Sequence, residues 1–283
     1  MSTIKVGLLM AALTALFVVC GHLLGGSVGV VIAVAFALIM NIGSFWFSDR
    51  IVLAMTRAQP VTRAEAPDLY AMTERLAQRA NIPMPRLYVV PDNSPNAFAT
   101  GRSPKHGVVA VNQGLLDLLD RSEVEGVVAH EIAHIKHRDT LTSAVIATVA
   151  GAISGIANLA YFTTLFGFGG SDDDAPNPFV MLLMMLVAPL AAAMIQFAVS
   201  RAREYEADKT AAELVGSPYG LRNALIKLTR GVEVAPGHIS PSAAHMCIVN
   251  PFSGARGIVN LFSTHPPLEK RVERLDAMAR RVA

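Results

Sequence analysis

His130-Glu131-Ile132-Ala133-His134 is the stretch on which the reading of this chain turns. Two histidines four residues apart share one face of an α-helix, because 3.6 residues per turn brings i and i+4 into line. Neutral imidazoles at that spacing reach a single Zn2+ at about 2.0–2.1 Å. Glu131 projects about 100° further round the helix, within reach of a water on the metal but badly placed to bind the ion. Zinc lowers the pKa of its water to roughly 7, so one proton taken by Glu131 yields a nucleophile at neutral pH. A pair of hydrogen-bonded surface histidines would leave the glutamate between them unexplained.

The surrounding pattern predicts the helix. Ser122–Glu125 has the form of a capping box, with a hydroxyl at the N-cap and a glutamate three residues on. Val124, Val127, Val128, Ile132 and Ile135 make an apolar stripe beside the histidine face, so His130 and His134 are expected to point away from the packed side.

A catalytic site of this kind needs a third protein ligand and an open position. A third histidine in the pattern HExxHxxGxxH is excluded, because His137 stands at the glycine position and Thr140 at the last histidine position. His137 lies one turn beyond the ligand face and reads as an outer or interfacial residue. A glutamate from another helix is the other solution, and the run Arg201–Asp208 offers one. Glu204 and Asp208 are again i, i+4 and share a face, which suits Glu204 for the metal and Asp208 for the Nδ1 proton of a ligand histidine. Taken alone, the same run reads equally well as a charged helix face in water.

HEIAH, then SRAREYEAD after a hydrophobic span, then Ser263-Thr264-His265-Pro266-Pro267 near the C-terminus, resembles the HtpX-type membrane metalloproteases. These are bacterial relatives of the CAAX prenyl-protease-type zinc peptidases. The resemblance runs over nearly the whole chain, including Asn81–Pro91 and Pro95–Gly101. It implies a gluzincin-like metallopeptidase with one Zn2+ per chain, held by His130, His134 and Glu204, with Glu131 as base. It also implies His265 and Arg271 as groups that position the scissile carbonyl or stabilise the oxyanion.

Composition suits a membrane enzyme: 52% of the 283 residues are hydrophobic and only 16% charged, with mean hydropathy +0.43. A net charge of +2 without a basic, aromatic-interleaved cluster gives no reason to expect nucleic acid. The two cysteines, Cys20 and Cys247, imply no disulfide framework and no competing metal motif. Four stretches approach the roughly 20 apolar residues needed to span a bilayer: Val6–Leu24, Val28–Phe47, Leu141–Phe166 and Phe179–Ser200. The first reads as a retained anchor, since it lacks a convincing cleavage site and a second span follows at once. The turn His22–Ser27 and the loop Gly167–Pro178, with Asp172–Asp174, carry no Lys or Arg, whereas Arg50, Arg57, Arg63, Arg75, Arg79, Arg201 and Arg203 follow the even-numbered spans. By the positive-inside rule the termini and the catalytic sequence are cytoplasmic, and the resemblance implies a multi-pass protein of a bacterial inner membrane. Gly151 and Gly155 permit close helix approach, Pro189 kinks the fourth span, and Asn158 and Gln196 suit interhelical hydrogen bonds.

The expected architecture is therefore mainly α within an α+β class: about four transmembrane helices and a small antiparallel sheet beside the zinc helix. It divides into a transmembrane hairpin (1–47), the first half of the catalytic domain with the zinc helix (48–140), a second hairpin with an acidic external loop (141–200), and the second half with the third ligand (201–283). Thr62–Glu65 is a second capping box, opening a helix whose Leu69, Met72 and Leu76 face a core. Leu87–Pro91, Ala97–Gly101 and Gly107–Asn112 are the strand candidates. An exposed strand there would pair with an extended substrate, making Asn96, Ala97 and Phe98 the substrate-binding candidates. Gly237–Gly257, with His238 and His245, reads as a long surface loop, and Glu269–Arg281 as an amphipathic helix burying Val272, Leu275 and Met278.

The partners expected are polypeptides, chiefly damaged or misassembled membrane proteins, together with the lipid bilayer and other copies of the chain. Two other functions fit parts of the pattern. A protease cutting within lipid is opposed by the charges of Glu123, Glu125, Lys136, Arg138 and Asp139 around the motif. A catalytically silent zinc-stabilised scaffold is opposed by the intact Glu131.

Overall fold

The computed structural model describes residues 2–143, 201–234, 248 and 266–282. The greater part of the third expected span, the whole of the fourth, the acidic loop, Cys247, His265 and nearly all of Gly237–Gly257 lie outside the described residues.

The chain opens with α1 (Ser2–Met55), whose long apolar run folds back on itself at Gly26, where φ is +56°. Only glycine adopts that conformation without strain. The two arms touch along their length: Phe17 packs edge-on to Phe36 with ring centroids 5.1 Å apart, and Asn41 Nδ2 donates to Thr14 Oγ1 at 3.0 Å. Near the turn the arms meet through glycines, and a Cβ on Gly21 would lie 2.4 Å from the Gly29 carbonyl oxygen. Gly26–Phe47 is the one helical stretch among the described residues that is long and apolar enough to cross a membrane. It leaves Val28, Val31, Ile32, Leu38, Ile39 and Ile42 exposed.

Beyond that stretch α1 continues to Met55 and docks on a four-stranded sheet. Val52 packs with Val90, Phe98 and Ala110, Arg102 lies over the Trp46 ring at 4.6 Å, and Asp49 pairs with Arg86. The sheet comprises β1 (Gln59–Pro60), β2 (Arg86–Val90), β3 (Ala97–Thr100) and β4 (Val108–Asn112), in the order β1-β2-β4-β3. The expected strands are present to within a residue, but the sheet is mixed rather than antiparallel. β4 forms a hairpin with β3 and then inserts beside β2, so β2 and β4 run parallel, pairing Tyr88 with Ala110. Turn residues reveal where strands end but carry no information on which strand sits between which.

Helices cover the sheet and build the core: α2 (Pro67–Ala80), α3 (Gln113–Leu118), α4 (Arg121–His137), α5 (Arg201–Val215), α6 (Tyr219–Val234) and α7 (Leu268–Val282). In α2, Leu69, Met72 and Leu76 are buried as the sequence leads one to expect. Its entry differs. Thr62 and Glu65 exchange the reciprocal bonds of a capping box, yet they close a separate turn, and the helix starts at Pro67, whose fixed φ suits a first helical residue. α4 likewise starts before the expected Ser122. Asp120 caps it, accepting from the Ser122 and Glu123 N–H groups, while Glu123 Oε2 accepts from the Asp120 N–H at 2.9 Å.

The main correction concerns the sides of α4. The apolar stripe is buried, but so are His130, Glu131 and Gly126. α2, β3, α5 and α6 surround the helix. Gly126 allows the closest approach, since a Cβ there would meet the Leu221 amide nitrogen at 2.3 Å. The histidines therefore face a walled interior.

Candidate active site

Three elements meet at the centre of the molecule. α4 carries His130, Glu131 and His134, α5 carries Glu204 and Asp208, and α7 carries Arg271. The two i, i+4 pairs face each other across the α4–α5 contact. His130 Nε2 lies 3.1 Å from His134 Nε2. Glu204 closes the group, with Oε2 3.7 Å from His130 Nε2 and Oε1 3.6 Å from His134 Nε2.

These separations match the chemistry of a metal. Donors held at 2.0–2.1 Å around a tetrahedral ion stand about 3.4 Å apart, and the three observed distances bracket that figure. The outer nitrogens sharpen the point. His130 Nδ1 lies 3.0 Å from Asp208 Oδ1. His134 Nδ1 faces Asp139 Oδ2 at 3.4 Å. Carboxylates on that side fix the Nδ1–H tautomer, which leaves two Nε2 lone pairs and a carboxylate converging on one point. Such a set calls for a cation between its members: a metal ion, or in its absence the proton that His134 then carries. His130, His134 and Glu204 are thus able to hold a metal ion.

Charge follows the same geometry. Burial pushes the Glu131 carboxyl up to about 7, with the nearby Glu204 adding to it and the His134 charge and the Ala99 backbone hydrogen bond opposing it. Burial alone would lower His134, but the Asp139 hydrogen bond and the charges of Glu204 and Glu131 outweigh it and raise the imidazole to about 9. His130 moves the other way, its burial outweighing Asp208. Asp208 is held below the usual carboxylate range: burial opposes this, but Arg271 and His130 prevail.

Residues 63–279 match the family described as Peptidase family M48. The chain belongs to peptidase family M48. Relatives named "Protease HtpX homolog" are similar over nearly its whole length. The protein of Desulfatibacillum aliphaticivorans is 49% identical over 274 residues, covering 96% of this chain and 88% of that one. That of Pelotomaculum thermopropionicum is 49% identical over 281 residues, covering 99% and 100%, and that of Pyrococcus furiosus 51% identical over 277 residues, covering 98% and 96%. The crystal structure of S. mikatae Ste24p shares the fold, with a TM-score of 0.51 and 22% identity over 86% of this chain and 57% of that chain. The chain is a membrane metalloprotease similar to the HtpX proteins.

Arg271 is buried. Its Nε and Nη2 donate to Asp208 at 2.8 and 2.6 Å, and Nη1 donates to the Ile248 carbonyl at 3.0 Å. With every guanidinium nitrogen engaged, it braces Asp208 and stands 3.8 Å from Glu204 Oε2. His265 lies outside the described residues. His137 stays out of the cluster, 3.4 Å from Thr210 Oγ1.

β3 is an edge strand but not an exposed one. Ala97 and Phe98 are buried, and Asn96 Oδ1 accepts from the Ile248 N–H at 3.1 Å. Three contributors escaped the sequence reading. The Ala99 N–H donates to the Glu131 carboxylate, Asp139 faces His134, and Arg203 Nη1 donates to Asp139 Oδ1 at 3.1 Å. A carboxylate five residues after a ligand histidine was the available signal for Asp139; nothing local marks Ala99.

Proposed function

We propose that this chain is a zinc-dependent endopeptidase of a bacterial inner membrane, cleaving unfolded or damaged membrane proteins at the cytoplasmic surface. The observation that carries this is the convergence of His130 Nε2, His134 Nε2 and Glu204 within 4.8 Å of one another, beside a buried glutamate that is not part of the set. Zinc, when bound there, supplies a polarised carbonyl and a water acidic enough to ionise near neutrality.

The chain's own residues divide the remaining work. His130, His134 and Glu204 hold the ion, and Asp208, braced by Arg271, keeps the His130 ring in its tautomer. Glu131 takes the water proton and passes it to the leaving amine. A carboxyl raised towards 7 is matched to both transfers. Because Glu131 already accepts from the Ala99 N–H, the edge of β3 opposite β4 runs beside the base. A substrate backbone pairing with β3 at Asn96, Ala97 and Phe98 would bring its scissile bond there with little demand on sequence. His265 is the proposed oxyanion donor, and Arg271 supports the site through Asp208 instead of touching substrate.

In the proposed arrangement, residues 1–47 and 141–200 form two membrane hairpins, and 48–140 with 201–283 form one catalytic domain beneath them. Self-association between copies is proposed with it. Purified protein, metal-depleted and reloaded with zinc, should cleave casein, and Glu131→Gln should keep its zinc while kcat falls by about 10²–10⁴-fold. A zinc-replete Gln variant with full turnover would remove Glu131 as base. Wild-type protein that binds zinc but cleaves nothing would favour the scaffold function.

A further inference from the structure

The two ligand histidines are braced by matching chains of groups, of which only the Asp208 link was legible in the sequence. His130 leads to Asp208, and Asp208 to Arg271. His134 leads to Asp139 Oδ2 at 3.4 Å, and Asp139 Oδ1 accepts from Arg203 Nη1 at 3.1 Å. Asp139 is buried, unlike the carboxylate of an ordinary surface ion pair.

The backbone goes out of its way to deliver Asp139. In a continuing helix, residue 139 would stand about 140° round the axis from His134, out of reach. α4 instead ends at His137, and Arg138 takes the left-handed conformation with φ +60°. A side-chain-bearing residue rarely adopts it, and glycine is the usual choice at that cap. The turn swings Asp139 back onto the His134 ring. Thr140 then fixes the same segment from the other side, donating to the Gly101 carbonyl at 2.7 Å at the end of β3.

We propose that Asp139, clamped by Arg203, is the positioning residue that fixes the tautomer and ring orientation of His134. Metal binding is thereby made to depend on the apposition of two distant chain segments. This rests on the metal-site function proposed above. Asp139 stands two residues before Leu141, where the third apolar stretch of the sequence begins, and Arg203 three residues after Ser200, where the fourth ends. The ion pair therefore joins the end of α4, which carries His134, to the start of α5, which carries Glu204.

Cobalt titration of the detergent-solubilised, metal-depleted full-length protein tests this, reading Kd and the visible absorption bands of the bound ion. Asp139→Asn and Arg203→Met should each weaken Co2+ binding by about 10–100-fold, as losing the partner of a ligand histidine does. The bands should shift, and the double variant should be little weaker than either single one. Arg203→Lys, which keeps the charge, should recover part of the affinity. Lys209→Ala, which breaks an exposed pair with Glu213 on the same helix, should bind as wild type does. Should Asp139→Asn fail to fold, the Met and Lys variants at Arg203 decide the matter by the same readout. Folded variants that bind Co2+ within twofold of wild type, with unchanged bands, overturn the positioning role alone. Wild-type protein that binds no Co2+ removes the metal site itself.

Discussion

His134 carries a proton at neutral pH in the metal-free protein because three carboxylates, Asp139, Glu204 and Glu131, act on one ring. That proton must leave when a metal binds, so affinity is linked to pH. With the metal-free pKa raised to about 9, the Kd for zinc should rise about tenfold for each pH unit below 9. A chelator-competition series from pH 6.5 to 8.5 checks it, and a flat profile would rule it out. The sign for stability follows from the same raised value. The protonated ring stabilises the metal-free fold fully below the ordinary 6.5, and that contribution is lost as pH rises through 9. Metal-free protein should therefore lose melting temperature across this window while metal-loaded protein does not. Arg271 poses the other residue-scale test. Removing it strands Asp208 as a buried, under-compensated charge, at a cost of about 3–5 kcal/mol. Arg271→Met should accordingly melt far earlier than wild type; a variant with normal melting but depressed kcat would favour the oxyanion role. The expectation that the two helix faces form one site came from the resemblance; that His130 and His134 share one face, and Glu204 and Asp208 another, was legible from helical spacing alone. The role of Arg271 was not, because a six-residue interval from His265 does not reveal which way a guanidinium turns.

At the scale of elements, α4 departs most from expectation. Its valine and isoleucine stripe predicted one packed face, but nothing in a single helix's pattern reports how many neighbours will close around it. Gly126 was the clue to the second wall. A Cβ there would come within 2.3 Å of the Leu221 amide nitrogen and 2.7 Å of its Cα, both backbone atoms that cannot swing aside. Gly126→Ala should push α6 from α4, costing about 1–3 kcal/mol, as overpacked cores do. Gly43→Ala, with nothing within 4 Å, should leave melting unchanged. Equal melting temperatures for the two variants would mean that α6 does not sit against α4 as described. The same contact carries the Lys227–Glu123 ion pair at 2.6 Å, so α6 also holds the capping glutamate at the start of the catalytic helix. Strand positions were legible from Pro, Gly and Asn boundaries, whereas the insertion of β4 between β2 and β3 depends on long-range packing. The capping box of α4 was displaced because Asp120 offers a carboxylate to two backbone N–H groups, leaving Ser122 inside the first turn.

For the whole molecule, the question is which compartment supplies peptides to the metal site. The hairpin arm Gly26–Phe47 ends at Trp46 and Phe47, and α1 then runs without a break onto the sheet that borders Glu131. Arg102 over Trp46 and the Asp49–Arg86 pair hold that junction together. Arg50, Arg57, Arg63, Arg75 and Arg79 all follow the arm, and the turn at Gly26 has no Lys or Arg beside it. A bilayer bearing the usual positive-inside bias would place that turn outside and the domain in the cytoplasm. In a background with Cys20 and Cys247 replaced by serine, Ser27→Cys should react with a membrane-impermeant thiol label on intact cells. Arg75→Cys, exposed on α2, should react only after the membrane is opened. Reversed labelling would put the site on the outer face, where cytoplasmic tails and loops of misassembled membrane proteins never pass, and the substrate class would have to be abandoned. Labelling of both positions on intact cells would instead show that Gly26–Phe47 does not cross the membrane. The peptidase chemistry would survive that outcome, because it depends on α4, α5 and β3 and not on the compartment they face.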